Sequence, residues 1–281
     1  MLQRARPWLG TIVEVRVAAD DGAREAAALE SAFDAVARVH AALSFHSPHS
    51  ELSRLNREAA RGEVAVGADT AAVLTLALEL AAASAGAFDP CVGGALVAAG
   101  VLPAPAGAPT PDAAADWRDV VLDGDRVHFR RPLWLDLGGI AKGHAVDVAL
   151  AAALAAGAGA VQVNAGGDLA VAGDTAALVQ MRVPGRGARL LPLAELRDGA
   201  AAGSAHGVDE TLPVHLDRQS GAPPTTPRAV TVFAPRCALA DALTKPVLCD
   251  PAAAAPLLQR YGASACVLGP DARLQRWGLA A

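Results

Sequence analysis

Leu135-Asp136-Leu137-Gly138-Gly139-Ile140-Ala141-Lys142-Gly143 is the stretch on which the reading of this chain turns. Trp134 to Leu137 has the apolar character of a strand, and a helix is expected from about Ile140 to Ala156. Between them stand a carboxylate and two glycines. Glycine lets a backbone approach a ligand closely, and a helix N-terminus presents unpaired N–H groups to a phosphate. Lys142, in the first helical turn, reaches toward the same anion. The same residues also make a plain tight turn with Asp136 as its cap, and spacing alone does not choose between the two.

On the N-terminal side, Thr11 to Val17 alternates, with Val13, Val15 and Val17 on one face, and reads as a half-buried strand. Asp20 or Asp21 caps a helix whose stripe is Leu29, Phe33, Val36, Val39 and Leu43. Phe45 to Asn56 reads as a polar loop. Asp69 or Thr70 caps a second helix ending near Ser84 and Gly86, and residues 102–116, rich in Pro and Ala, read as a surface linker. Val120–Leu122 and Val127–Phe129 flank Asp123-Gly124-Asp125, a hairpin signature. On the C-terminal side, strands are expected at about 161–163, 169–173, 177–183, 229–234 and 264–268, and helices at about 237–248 and 251–260. Short turns join neighbouring strands, which favours an α+β fold with mostly antiparallel sheets and packed helices over a doubly wound parallel sheet.

The 281 residues carry 24 Lys+Arg against 29 Asp+Glu, a net charge of −5, which argues against a nucleic-acid partner. An apolar share of 53% supplies ample core. No apolar run is long enough for a membrane span, and the N-terminus lacks a signal-peptide core, so a cytoplasmic location is expected for the chain as it stands, or a periplasmic one if a leader has been removed. Cys91, Cys237, Cys249 and Cys266 form no CxxC pair, so zinc-knuckle and thioredoxin readings fail. Neither GxGxxG nor GxxxxGK[ST] occurs, so neither a dinucleotide-fold dehydrogenase nor a P-loop NTPase is supported. Ser204 has no GxSxG elbow around it.

Four further segments carry candidate chemistry. Asn164-Ala165-Gly166-Gly167-Asp168 sets two glycines beside a carboxylate at a strand end, a backbone nest or an ordinary turn. In Ala238-Leu239-Ala240-Asp241-Ala242-Leu243-Thr244-Lys245-Pro246, Asp241 and Thr244 share a helix face; they suit Mg²⁺, which takes oxygen ligands, while Asp241 and Lys245 equally read as an i, i+4 pair. Val214-His215-Leu216-Asp217 places His215 and Asp217 on one strand face, where Asp217 serves as a base or as a cap. Ala87-Phe88-Asp89-Pro90 starts a turn, with Phe88 set to pack on a planar ligand or in the core.

The order of these segments resembles one family. Leu9-Gly10-Thr11, Ser50-Glu51-Leu52-Ser53-Arg54-Leu55-Asn56, Ala87–Pro90, Leu135–Gly143 with Val146-Asp147, Gly166-Gly167-Asp168-Leu169 and Ala240–Thr244 together resemble the ApbE type, the FAD:protein FMN transferases. The resemblance covers nearly the whole chain as a single domain, residues 1–281. It implies a two-lobed α+β fold with a flavin cleft between the lobes. It implies FAD as substrate, Mg²⁺ or Mn²⁺ as cofactor, and transfer of FMN to a Thr or Ser hydroxyl of a target flavoprotein with release of AMP. A FAD pyrophosphatase and a non-catalytic flavin carrier are the alternatives within the same resemblance. By position, Leu9, His46, Ala87, Phe88, Asp89, Asp136 and Lys142 would contact FAD. The Gly139 carbonyl, Asp241 and Thr244 would hold the metal. Lys142, His215 and Asp217 would serve the chemistry, with Asp217 accepting the incoming hydroxyl's proton.

Departures accompany the resemblance, among them the family's TSGDY segment, reduced here to Gly203-Ser204-Ala205-His206-Gly207. The family's metal helix usually reads ADALATA, with Thr four residues after the Asp; here that position is Lys245, Thr244 comes one earlier, and Pro246 follows. A one-residue step turns a helical side chain by about 100°, so either Thr244 still reaches the metal or Lys245 stands in its place and supplies part of its charge. The usual HIIDPRTG becomes His215-Leu216-Asp217-Arg218-Gln219-Ser220-Gly221, which moves the His and removes the Pro.

Overall fold

The computed structural model describes residues 1–183, 189–206, 227–271 and 273–278. The chain starts with a hairpin of Leu2–Trp8 (β1) and Thr11–Ala18 (β2), in which Trp8 pairs with Thr11. Leu9 and Gly10 close it in two residues, both at positive φ (57° and 71°), the backbone that matches the strands' twist. Glycine adopts it freely; Leu9 does so under strain. Gly22–Leu43 (α1) follows, its N-terminus capped by Asp21, which accepts the Arg24 N–H at 2.8 Å. The expected stripe, Leu29 to Leu43, is buried throughout.

The stretch read as a polar loop contains a helix, Glu51–Glu58 (α2). Ser50 caps it by accepting the Ser53 N–H at 3.0 Å, and its only two leucines, Leu52 and Leu55, are fully buried. Two apolar residues in eight are a thin periodic signal, so a cap and one tertiary contact outweigh the polar composition. Val64–Ala65 (β3) leads to Ala68–Ala83 (α3), whose cap is Gly67 and neither Asp69 nor Thr70. Asp69 is drawn instead to Arg38 and His144, and the Thr70 hydroxyl donates to Glu51. A short helix, Gly93–Ala98 (α4), precedes the hairpin Val120–Asp123 (β4) and Arg126–Phe129 (β5), and then comes Ala141–Ala155 (α5).

The remaining elements are Ala160–Ala165 (β6), Asp168–Gly173 (β7), Ala177–Arg182 (β8), Leu190–Leu196 (β9), Gly199–His206 (β10) and Arg228–Ala234 (β11). Cys237–Cys249 (α6), Pro251–Arg260 (α7), Ser264–Leu268 (β12) and Leu274–Trp277 (β13) complete the described chain. An eight-stranded sheet runs β1-β2-β6-β7-β10-β11-β12-β13, with every neighbouring pair antiparallel. The fold is α+β, as the short inter-strand turns imply. Val13, Val15, Val17, Val161 and Val163 turn one face of this sheet onto α1 and α5 in a shared core. A second core gathers α2, α3 and α6 around Leu133, Leu135 and Leu137. No described helix is long and apolar enough to cross a membrane.

The expected strand at 134–137 does not form as such. Side chains and loops take the place of a ladder. The Leu135 N–H donates to Asn56 Oδ1 at 2.8 Å, and the Leu135 carbonyl accepts from Asn56 Nδ2 at 3.0 Å. The Asp136 N–H donates to the Pro90 carbonyl at 2.8 Å, and the Gly93 N–H to the Trp134 carbonyl at 3.1 Å. Buried backbone groups are satisfied here without a sheet neighbour.

Candidate active site

Three turns and one helix start converge on a cleft of about 560 Å³. The β1–β2 turn brings Leu9. The chain leaving α3 turns through Ala85 and Gly86, both at positive φ, with the Gly86 N–H on the Ala81 carbonyl at 2.8 Å. That turn delivers Ala87, Phe88 and Asp89, and the segment held by Asn56 delivers Asp136, Gly138, Gly139 and Lys142; all but Asn56 line the cleft. His46 lines it too. The expected contact residues therefore meet around one cavity, although they are spread from Leu9 to Lys142 along the chain.

One part of the wall is apolar, with Val39, Leu43, Phe88, Val92 and Leu96. Val101 and Leu102, at the edge of the segment read as a surface linker, belong to this wall. Another part is charged. The Lys142 ammonium donates to Asp168, which the β6–β7 turn sets at the start of β7 and which is 1% exposed. The Lys245 ammonium donates to Asp241 Oδ1 at 2.5 Å and to the Asp241 carbonyl at 2.9 Å. Asp241 is also 1% exposed, and its Oδ2 accepts the Gly143 N–H at 3.2 Å. The two lysines line the cleft, while Asp168 and Asp241 stand behind them. The cleft thus presents two ammoniums backed by buried carboxylates.

The charges move each other's titration. Burial and the nearby Asp241 charge raise the Asp168 carboxyl, and the two lysines recover only part of this, leaving it at about 6. Burial also raises Asp241, but Lys245, Lys142 and the Gly143 N–H outweigh it and hold it below the usual carboxylate value. Burial lowers Lys142, yet the charges of Asp241 and Asp168 carry it above an ordinary lysine, so it stays cationic. Asp136 is raised by burial against the pull of the Gly138 N–H, Lys245 and His46.

The helix α6 that carries Asp241 and Lys245 is fixed by α5. Asp147 accepts the Cys237 N–H at 2.6 Å and the Ala238 N–H at 3.0 Å, capping α6 from a neighbouring helix. A Cβ on Gly143 would lie 2.4 Å from the Cys237 carbonyl oxygen, so only glycine lets the two helices approach this closely. Despite Pro246, α6 continues to Cys249. Asn56 and Asp147 thus position the site without touching the cleft. Both lie in the segments that carry the family resemblance, but their partners, a backbone segment and a helix end, are not visible in a linear pattern.

Mg²⁺ takes a near-octahedral set of oxygens at about 2.0–2.1 Å. The oxygen donors expected to hold it are engaged otherwise. Asp241 Oδ1 is on Lys245 and Oδ2 is on the Gly143 N–H. The Thr244 hydroxyl donates to the Asp241 carbonyl at 2.6 Å and meets Ser204 Oγ at 2.8 Å, and Thr244 is fully buried. Gly139 abuts the Lys245 stem, its would-be Cβ 3.0 Å from Lys245 Cε. Among the described residues no group of three or more His, Cys, Asp or Glu side chains is placed for a metal ion. As these side chains stand, they fit an ammonium on Asp241 and not a divalent ion. His215 and Asp217 lie outside the described residues.

An apolar slot ending on two ammoniums, carried by an antiparallel α+β fold, defines a protein suited to a flat aromatic ligand that bears phosphates. Comparison with known proteins carries this further. Residues 9–268 match the model of the ApbE family. The FAD:protein FMN transferase of Treponema pallidum (strain Nichols) is 29% identical over an alignment covering 97% of this chain and 85% of that protein. The FAD:protein FMN transferase of Rhodobacter capsulatus is 38% identical over 135 positions, 44% of this chain and 26% of that protein. Among solved structures, the ApbE protein of Thermotoga maritima superposes with a TM-score of 0.82 at 24% identity, covering 98% of this chain and 96% of its own. The apo flavinyl transferase ApbE of Pseudomonas stutzeri gives 0.81 at 22% identity, covering 98% and 95%. The chain belongs to the ApbE family.

Proposed function

We propose that this protein transfers FMN from FAD to a Thr or Ser hydroxyl of a target flavoprotein and releases AMP. The observation that carries the proposal is the cleft itself, which pairs an apolar wall with two ammoniums over buried carboxylates. Two of the relatives named above are FAD:protein FMN transferases and support the same reading.

In this reading Leu9, Ala87 and Phe88 contact FAD along the apolar wall, and Asp89 meets its adenosine half. His46 and Asp136 border the ligand. The acceptor hydroxyl oxygen bonds to the phosphorus of the FMN half, and the pyrophosphate P–O bond to the AMP half breaks. Negative charge on the phosphate oxygens shifts toward the departing AMP. Lys142, held cationic by Asp168 and Asp241, stabilises that charge where it develops. The hydroxyl's proton goes to a carboxylate, for which we assign Asp217, with His215 near it on the same segment. Charge neutralisation falls to the two lysines, and Mg²⁺, or Mn²⁺ in its place, enters the proposal as an ion accompanying the FAD phosphates.

The test is one incubation with FAD and a flavinylation-domain substrate bearing an acceptor Thr, following AMP release and the substrate's intact mass. A mass gain of one FMN with stoichiometric AMP is the expected result. AMP and free FMN without that gain would replace the transferase reading by a pyrophosphatase. Bound FAD with no AMP would replace it by a flavin carrier.

A further inference from the structure

We propose that the Lys245 ammonium is a built-in cation of this cleft, occupying the place on Asp241 that a divalent ion would need, so that the protein binds a pyrophosphate without a metal on Asp241. The inference rests on the transferase reading only for the identity of the anion.

The geometry is that of a closed bracket. Lys245 lies one turn after Asp241 and returns to it twice, through Oδ1 and through the main-chain carbonyl. An ammonium has three donors; among the described residues the third is left for the cleft, which Lys245 lines. Its stem passes over Gly139, where any side chain would meet Lys245 Cε at 3.0 Å. The glycine therefore makes room for the lysine. The neighbouring hydroxyl is withdrawn, because Thr244 is fully buried and bonded to Ser204 and to the Asp241 carbonyl. What α6 offers the cleft at this point is thus a positive charge on a flexible stem, in place of oxygen ligands for an ion.

A fixed ammonium and a divalent ion cannot share Asp241 Oδ1. The lysine carries one unit of charge where the ion carries two, but it costs no dehydration of a bound ion and no dependence on ion concentration. Lys142 supplies the second cation, held against Asp168. Two ammoniums together match the two formal charges of a pyrophosphate diester.

Two measurements test the proposal. The first uses Mn²⁺ alone, without flavin, titrated by electron paramagnetic resonance. The wild-type protein should hold no Mn²⁺ on Asp241, whereas Lys245→Ala should gain one site, which Asp241→Asn in the same chain removes. A single Mn²⁺ bound by the wild-type protein and lost on Asp241→Asn would overturn the proposal, whether or not Lys245→Ala folds. The second is FAD titration by flavin fluorescence in EDTA and in Mg²⁺. Wild-type affinity should agree within about threefold between the two conditions, and Lys245→Ala should lose about tenfold or more in EDTA and regain it with Mg²⁺. Loss of wild-type FAD binding in EDTA alone would overturn the proposal. Absence of FAD binding under every condition would instead remove the transferase reading, and the Mn²⁺ comparison would still decide the role of Lys245.

Discussion

Replacing Asn56 by Ala should destabilise the protein and loosen its cleft together. Asn56 is 2% exposed and makes two hydrogen bonds, one to the N–H and one to the carbonyl of Leu135, which is fully buried. Alanine cannot replace either bond, and water does not reach the gap without opening the core. Each orphaned buried group costs about 1–3 kcal/mol, so the pair should cost about 2–6 kcal/mol. That is a large part of the roughly 5–15 kcal/mol that holds a typical protein folded. Leu135 directly precedes Asp136, and Gly139 and Lys142 follow on the same segment, so the loss is felt at the ligand. Urea unfolding at equal slope gives the stability change, and FAD titration on the still-folded variant gives the effect on the cleft. A change below about 1 kcal/mol would show that the Leu135 backbone finds other partners and that the segment is not held by Asn56.

Further predictions follow from the same geometry. Asp147→Ala should cost about 1–2 kcal/mol, because the N–H groups of Cys237 and Ala238 lose their cap, and urea midpoints at equal slope measure it. Gly143→Ala should cost more than about 1 kcal/mol, since its Cβ meets a backbone carbonyl at 2.4 Å; thermal unfolding beside the benign Gly62→Ala, where nothing lies within 4 Å, isolates the clash. Lys142→Ala should weaken FAD binding about tenfold or more with little change in riboflavin binding, because the lost contact is to phosphate; equal losses for both ligands would place Lys142 elsewhere. Burial raises the Asp69 carboxyl, but the hydrogen bonds and charges of Arg38 and His144 outweigh it and lower it below 3.8. A lowered folded-state value means that Asp69 contributes stability above the unfolded value and loses it as pH falls through the folded one. The stability gap between wild type and Asp69→Asn should therefore shrink as pH falls below about 4, as read from urea midpoints across pH.

The sequence by itself determined the elements with strong periodicity and the residue types of the site. The five-residue stripe of α1 and the valines of β2 stand where spacing places them, because a helical or alternating pattern survives any tertiary context that buries one face; α5 to α7 stand close to their expected ranges. The glycine pairs at Gly138-Gly139 and Gly166-Gly167 marked two of the turns that bring Lys142 and Asp168 together. Tertiary structure alone decided the rest. Only packing shows that residues 134–137 pair with the Asn56 side chain instead of a strand, or that eight residues with two leucines form α2. Only packing shows that Leu102, the first residue of the linker, joins Val101 in the cleft wall. The Asp241-Thr244-Lys245 spacing left open whether Thr244 or Lys245 faces the site. In the structure the Thr244 hydroxyl is buried against Ser204 and the Asp241 carbonyl, while Lys245 lines the cleft beside Gly139. A linear pattern fixes which groups share a helix face; which of them reaches the cleft depends on what the neighbouring chain leaves room for.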